Sequence, residues 1–166
     1  LAGRHTVGVY PLLIDDTCHF LAVDFDDAEW REDARAFAGS CGALGVPVAL
    51  EVSRSGNGAH AWIFFSGRVQ ARDARRLGTA LISHTCARTR QLKLSSYDRL
   101  FPNQDTMPKG GFGNLIALPL QKAPRESGGS VFVDRDLQAH NDQWAFLAGM
   151  PKMSPADIEP TILRAI

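Results

Sequence analysis

The chain has 166 residues, 45% of them hydrophobic and 22% charged, which is ordinary for a globular protein that buries a core without disulfides. No apolar run approaches the ~20 residues that span a bilayer, so we expect no membrane-spanning segment and no membrane partner. The 18 basic and 18 acidic residues cancel, which argues against a passive nucleic-acid binder but not against an enzyme whose acidic residues hold metal ions.

The first part of the chain is predicted to form two strands and a helix. Residues 7–13 form a short strand that could pair with the next strand, residues 19–26, which is rich in β-formers. Asp27 is expected to cap a helix that has the acidic Glu29 in its first turn. The apolar face of this helix is formed by residues at helical spacing, namely Trp30, Ala34, Phe37, Ala38 and Cys41.

A hairpin and a second helix are predicted next. Residues 47–53 and 60–65 are the strands of the hairpin, with a turn at residues 55–58. An amphipathic helix follows from residue 71 to about residue 88. Basic residues cluster along this region, and they fit either a solvated helix face or a nucleic-acid-binding face: Arg68, Arg72, Arg75, Arg76, Arg88, Arg90 and Lys93.

The remaining elements are predicted to be short. Strands are expected at residues 92–98, 115–120 and 130–133, with a loop at 101–113 and a polar turn at 122–129. A short helix is expected at residues 142–147, and Ser154-Pro155 opens a last helix that runs to residue 166. The order of elements predicts an α+β domain with helices flanking a mixed or antiparallel sheet.

We expect residues 1–166 to form a single domain, and because the chain does not begin with Met, we expect it to be a fragment of a larger multidomain protein. The N-terminus has no signal-peptide pattern, so a cytoplasmic protein is expected. Cys18, Cys41 and Cys86 are widely spaced and outside any Cys/His cluster. They predict buried thiols in a reducing compartment, with no disulfide and no zinc site.

Asp24 and Asp26 lie at the end of the predicted strand 19–26. Side chains two residues apart on a strand point to the same side, so two carboxylates face one spot. Hard cations such as Mg²⁺ or Mn²⁺ take oxygen ligands of this kind and compensate a charge that is costly to bury. The alternative is a strand end that runs into solvent, and the pair alone favours that alternative.

The predicted hairpin turn carries Ser-Arg-Ser-Gly-Asn-Gly-Ala-His, which begins at Ser53 and ends at His60. A Gly-rich turn can direct backbone N–H groups at a phosphate, and Arg54, Ser55 and His60 can add side-chain donors. Ordinary Asn-Gly turn chemistry explains Asn57-Gly58 as well. It does not explain a His at the start of an apolar strand, for which a hydrogen-bonded core histidine is the rival interpretation.

Two downstream features are weaker alone. Asp98 ends the predicted strand 92–98, where it could supply a third carboxylate or pair with Arg99 on the surface. Lys109 opens a Gly-rich segment ahead of strand 115–120 and Gln121. This segment suits contact with a phosphate or a sugar, and a flexible loop explains it equally well.

Taken together, these motifs resemble the archaeo-eukaryotic primase superfamily, which combines D-x-D, a Ser/Gly-x-His element on a hairpin, and a single Asp at a later strand end. The S-G-x-x-G-x-H form is also similar to the polymerase domain of bacterial end-joining ligases. Longer blocks resemble the primase domain of TOTE conflict systems, in which a primase is joined to a helicase and a nuclease: GVYPLL, FLAVDFD, SRSGNGAHAWIFF, SYDRLFPNQDTMPKGGFGNLIALPLQ and DQWAFL. The resemblance extends to about Met153.

The resemblance implies a sheet with an RRM-like half, a smaller α/β half and an active-site cleft between them. It implies template-directed nucleotidyl transfer from NTPs or dNTPs on a DNA or RNA template and primer, with two Mg²⁺ or Mn²⁺ ions. Asp24, Asp26 and Asp98 would be the catalytic metal ligands, and Ser55 and His60 would bind the triphosphate. Weaker assignments for nucleotide or template contacts are Arg54, Gly58, Lys109 and Gln121.

Two other functions remain open from the sequence. A metal-dependent nuclease could use the same acids to activate water. A non-catalytic RRM-like nucleic-acid-binding module would need aromatic side chains that face out of the sheet. Trp62, Phe64 and Phe65 could serve in that way, although core packing explains them as well.

Overall fold

The computed structural model describes residues 2–92 and 99–166. The strand predicted at residues 92–98 lies almost wholly outside the described residues, and so does the assignment of Asp98 as a metal ligand. Within the described residues, no helix has the length and apolar character needed to cross a bilayer.

The described residues form short and long strands interleaved with helices. The strands are β1 Gly8–Val9, β2 Thr17–Phe25, β3 Ala49–Val52, β4 Ala59–Gln70, β5 Leu100–Phe101, β6 Ile116–Ala117 and β7 Val131–Val133. The helices are α1 Trp30–Ala43, α2 Ala71–Thr89, α3 Lys122–Glu126, α4 Gln143–Gly149 and α5 Ile158–Ala165, with a 3-10 turn Pro155–Asp157 before α5.

Five of the strands form one antiparallel sheet in the order β5-β2-β4-β3-β7, and β1 and β6 form a separate two-stranded sheet. β3 and β4 are the predicted hairpin. Their register pairs Glu51 with His60, and the register of β2 with β4 pairs His60 with Asp24. These three residues therefore lie in one row across neighbouring strands. The predicted α+β class with an antiparallel sheet is confirmed.

The two faces of the large sheet are covered by different elements. Leu21, Val23 and Phe25 of β2 belong to the core shared with α1, α2 and α5. Ala22 and the β4 residue Trp62 belong to a second cluster with β6 and α4. Because side chains alternate along a strand, Asp24 and His60 lie on the second face. The candidate site is thus separated by the sheet from the three helices of the larger core.

Several predicted boundaries need correction. Residues 7–13 form a strand only at Gly8–Val9, which pairs with β6 and not with β2. Residues 115–120 contribute only Ile116–Ala117. α1 begins at Trp30, and Asp27 does not cap it; Asp27 Oδ1 accepts a hydrogen bond from the Glu29 backbone N–H at 3.0 Å. The polar turn at 122–129 contains α3.

The three cysteines are free thiols. Cys18 and Cys41 are buried in the larger core, as predicted, and Cys86 is half-buried. Burial raises the pKa of the Cys18 thiol to about 12 and that of Cys41 further still. These two side chains therefore act as small apolar residues in packing.

Candidate active site

Asp24, His60 and Glu51 form a hydrogen-bonded row across β2, β4 and β3. His60 Nε2 lies 3.3 Å from Asp24 Oδ1, and His60 Nδ1 lies 3.0 Å from Glu51 Oε1. The imidazole is therefore held between two carboxylates. Exposure rises along the row, because the Glu51 side chain is 2% exposed, that of His60 11% and that of Asp24 22%. The row opens to solvent at Asp24.

The two carboxylates govern the charge of His60. Burial is the largest single influence and lowers the His60 pKa, but the hydrogen bonds and charges of Asp24 and Glu51 outweigh it and raise the pKa to about 9. His60 is therefore an imidazolium at neutral pH, and both ring nitrogens donate. The imidazolium therefore has one acid on each side, the buried Glu51 and the more exposed Asp24.

Asp26 adds a second carboxylate at this end of the sheet. Its Oδ1 accepts a hydrogen bond from Arg99 Nη1, and the same guanidinium nitrogen lies 3.9 Å from Asp24 Oδ2. Arg99 directly precedes β5, the strand next to β2. The two acids of the D-x-D motif therefore converge on one positive charge, as their spacing on the strand predicts.

The convergence on Arg99 shows that both carboxylates can reach one cationic group. Asp24 and Asp26 already share one cation, and their hard oxygen atoms are the donors that Mg²⁺ and Mn²⁺ prefer. This donor pair therefore fits a divalent cation. Across residues 2–92 and 99–166, no three His, Cys, Asp or Glu side chains are arranged as a metal-binding group.

The β3–β4 turn packs beside Asp26. A Cβ on Gly58 would lie 2.6 Å from the Phe25 carbonyl oxygen and 3.4 Å from the Asp26 Cα, so only glycine allows this approach. The turn closes through the Ser53 N–H, which donates to the Gly58 carbonyl at 2.9 Å. The left-handed residue is Gly56, with φ of +78°, and not Asn57. The turn is thus not the two-residue Asn-Gly type.

Side chains in the turn are available to a ligand. The Ser55 hydroxyl accepts a hydrogen bond from the Asn57 N–H at 3.1 Å and lies 3.1 Å from the Ser53 hydroxyl. Ser55 and Arg54 are both exposed. The structure thus brings Asp24, Asp26, His60 and the turn together, whereas their roles in nucleotide binding stay predictions.

Gln121 and Lys109 are placed differently. Gln121 is 4% exposed. Its amide oxygen accepts a hydrogen bond from the Val7 N–H, and its amide nitrogen donates to the Val7 and Leu118 carbonyls. Its amide therefore ties the N-terminal segment to the β6 region, which accounts for it without a ligand. Lys109 is exposed in a turn that the Gly111 N–H closes on the Pro108 carbonyl at 3.0 Å. Within residues 2–92 and 99–166, Lys109 makes no ion pair with Asp24 or Asp26.

The surroundings of the basic cluster favour a solvated helix face over a nucleic-acid-binding face. α2 lies on the sheet face opposite Asp24 and His60. Four of the arginines form ion pairs with acids at the surface: Arg68 with Asp15, Arg72 with Asp73, Arg75 with Asp105, and Arg76 with Asp73 and Glu159. Lys93 lies outside the described residues.

Glu51 is a residue of the site that the sequence did not reveal. A single acid in an apolar strand looks like a solvent-facing position, and its pairing with His60 depends on the β3–β4 register. Folded about the predicted turn at residues 55–58, the hairpin places Glu51 opposite Trp62, on the same face as His60. The observed register differs by two residues and pairs Glu51 with His60.

The chain also matches a known family. The model of the archaeo-eukaryotic primase domain of TOTE conflict systems matches residues 1–161. No curated protein matches the chain. The matched region contains Asp24, Asp26, His60 and the Gly-rich turn, so the family and the convergent side chains point the same way. The chain belongs to the archaeo-eukaryotic primase domain family of TOTE conflict systems.

Proposed function

We propose that this domain catalyses template-directed nucleotidyl transfer, in which a 3′-hydroxyl attacks the α-phosphate of a nucleoside triphosphate and pyrophosphate leaves. Family membership indicates nucleotidyl transfer in general. The observation that carries the proposal is the convergence of Asp24 and Asp26 on one positive charge, with the His60 imidazolium and a glycine turn beside them.

Asp24 and Asp26 would hold two Mg²⁺ or Mn²⁺ ions, and Asp98 would be the third carboxylate. Asp98 directly precedes Arg99 in the sequence, and its assignment as the third carboxylate is carried by the resemblance to the family's motif. When bound, such ions neutralise the phosphate charge and activate the hydroxyl. Arg99 would give up its contacts as a cation binds, since both compete for the same carboxylate oxygens.

His60 and the turn would bind the triphosphate. An imidazolium donor is suited to a phosphate oxygen, and charge-assisted hydrogen bonds are about twice as strong as neutral ones. Ser55 and Arg54 would add donors from the exposed turn, and Gly58 would allow the turn to lie close to β2. This arrangement would fix the α-phosphate for in-line attack, because positioning accounts for much of phosphoryl-transfer catalysis.

The partners that follow are NTPs or dNTPs and a DNA or RNA template and primer. Helicase and nuclease domains in the same polypeptide, and a cytoplasmic location, are part of the proposal. The RRM-like binding module is disfavoured by burial, since Trp62 is 2% exposed and Phe65 is 4% exposed. Trp62 packs between Phe20 and Phe64, so its ring is not available to stack on a base.

A labelled primer annealed to a longer template separates the polymerase from the nuclease. Under the proposal, the primer lengthens when Mg²⁺ or Mn²⁺ and nucleotides are supplied together, and it stays unchanged without nucleotides. A primer that shortens without nucleotides would identify a nuclease. Nucleotide binding that persists undiminished in EDTA would contradict the metal-dependent site and favour a binding module.

A further inference from the structure

Glu51 is a buried carboxyl group in a strand of otherwise apolar residues. It lies in β3 between His60 of β4 and Phe132 of β7, and it is 1% exposed. A carboxylate in such a position is costly to desolvate, and replacing a whole buried ion pair by apolar residues of similar volume often gives a fold at least as stable. The cost suggests that the carboxylate serves the neighbouring site.

Both partners of Glu51 bind the same oxygen atom. Oε1 accepts a hydrogen bond from Trp62 Nε1 at 2.8 Å and one from His60 Nδ1 at 3.0 Å. The Trp62 ring is itself fixed by packing against Phe20 and Phe64, with centroid distances of 5.2 and 6.1 Å. Glu51 Oε1 is therefore a fixed acceptor at the inner side of the imidazole.

The chemistry of the ring follows from its two neighbours. An ionised carboxylate can only accept hydrogen bonds, so His60 donates from Nδ1 to Glu51 and from Nε2 towards Asp24. Anchoring Nδ1 fixes the ring plane, and the Nε2–H then points to the more exposed end of the row. Without Glu51, the inner nitrogen of this buried ring would lose its acceptor, and only Asp24 and the Trp62 ring would orient it.

We propose that Glu51 is the positioning residue for His60 and keeps its Nε2–H at the open end of the row, beside Asp24, where the triphosphate would bind. The inference rests on the proposed function, and it adds a residue that acts on the nucleotide only through His60. Glu51 itself is too buried to touch a nucleotide.

The test compares Glu51→Gln with the matched control Trp62→Phe. Glu51→Gln keeps the side-chain size and an oxygen that can accept from Trp62 and His60, but it replaces the carboxylate acceptor of the His60 Nδ1–H with a neutral amide oxygen. We expect it to weaken binding of dATP and of ATP, each with Mg²⁺, by about fivefold to tenfold, the difference between a charge-assisted and a neutral hydrogen bond. Trp62→Phe keeps the Glu51–His60 bond, and we expect a loss of about threefold or less.

A spectroscopic readout separates positioning from general damage. In ¹⁵N-histidine-labelled protein, His60 should show an Nδ1–H resonance protected from solvent exchange, identified by its absence in His60→Gln. In Glu51→Gln this resonance should move upfield and exchange faster with solvent, because a neutral oxygen is the weaker acceptor. In Trp62→Phe it should keep its wild-type shift and protection. If Glu51→Gln keeps both the wild-type resonance and wild-type nucleotide affinity, the inference is wrong.

The remaining outcomes distinguish the inference from the proposed function. If His60→Gln leaves nucleotide affinity unchanged, the proposed role of His60 fails, while an upfield, faster-exchanging Nδ1–H resonance in Glu51→Gln still supports positioning of the ring. If His60→Gln weakens binding and Glu51→Gln does not, the positioning role is refuted. If Glu51→Gln fails to fold, the wild-type spectrum decides, since a His60 without a protected Nδ1–H would refute the contact.

Discussion

At the scale of single residues, the site combines acids that the sequence indicates with one that it conceals. Asp24 and Asp26 are found by local spacing, because side chains two residues apart on a strand lie on the same side of the sheet. His60 stands out as a polar residue in an apolar strand. Glu51 escaped notice because its function depends on a partner in another strand, and no local pattern reports that contact. Asp98, predicted as the third ligand, lies outside the described residues.

Replacing Asp26 tests the metal-binding role with little risk to the fold. The side chain is 50% exposed and paired with Arg99, so its loss should cost little stability. We expect Asp26→Ala to lower nucleotide incorporation by at least about a hundredfold while Tm changes by about 2 °C or less. Asp105→Ala is the matched control, because Asp105 is 49% exposed and paired with Arg75. Equal activity in the two variants would contradict the assignment.

Replacing His60 tests the triphosphate role. His60→Ala removes the imidazolium donor, and we expect the nucleotide KM to rise by about tenfold or more, or turnover to be lost. His19→Ala, an exposed histidine of β2, is the control that should leave KM unchanged. Steady-state kinetics with varied nucleotide concentration measures both. An unchanged KM in His60→Ala would remove it from the nucleotide site.

At the scale of elements, the length of a helix or strand decides whether the sequence predicts it. α2 and the β3–β4 hairpin follow from apolar periodicity and turn residues close in sequence. β1 and β6 pair although residues 8 and 117 are more than 100 positions apart, and each strand has only two residues. Such short strands are formed by tertiary contacts, here the Gln121 amide on Val7, and carry little pattern of their own.

Gly58 is the point at which the hairpin turn touches β2. We expect Gly58→Ala to destabilise the protein by about 1–3 kcal/mol, because its Cβ would clash with the Phe25 carbonyl. Gly39→Ala on α1 is the contrast, since its Cβ meets nothing within 4 Å. There we expect a gain of about 0.5–1 kcal/mol from helix propensity. In thermal unfolding, Tm should fall for Gly58→Ala and rise for Gly39→Ala. A higher Tm in Gly58→Ala would disprove the close approach of the turn to β2.

Asp33 gives the α1–α2 region a pH dependence. Burial, aided by the nearby Asp27 and Glu29 and opposed by a 3.0 Å hydrogen bond from Gln91, raises the Asp33 pKa to about 6. The folded state thus binds this proton more tightly than the unfolded chain, whose Asp has the ordinary value of 3.8. Stability from this group is therefore gained as pH falls from above 6 towards 4.

The variant Asp33→Asn removes that titration and keeps an acceptor for Gln91. We expect it to be more stable than wild type by about 1–2 kcal/mol at pH 8, with a difference that shrinks towards pH 4. Urea unfolding at several pH values measures the difference. A difference in unfolding free energy between wild type and Asp33→Asn that stays constant from pH 8 to pH 4 would show that the Asp33 pKa is not raised.

At the scale of the whole molecule, the sheet assembles the site from distant segments. Residues 24, 51, 60 and 99 come from four strands or their ends, and the order β5-β2-β4-β3 brings them to one end of one face. The α+β class and the convergence of Asp24 and Asp26 were predictable from patterns in the sequence. The row across the sheet was not, because it is a property of register.

The most direct test of this account is incorporation of labelled nucleotides on single-stranded and on primed templates, with ribo- and deoxynucleotides supplied separately. The wild-type domain and Asp24→Ala are compared with Mg²⁺ or Mn²⁺, after circular dichroism has shown that both fold. We predict nucleotide incorporation by the wild type on at least one template and none by Asp24→Ala. Full incorporation by Asp24→Ala, or a wild type that incorporates no nucleotide on any template, would contradict the account.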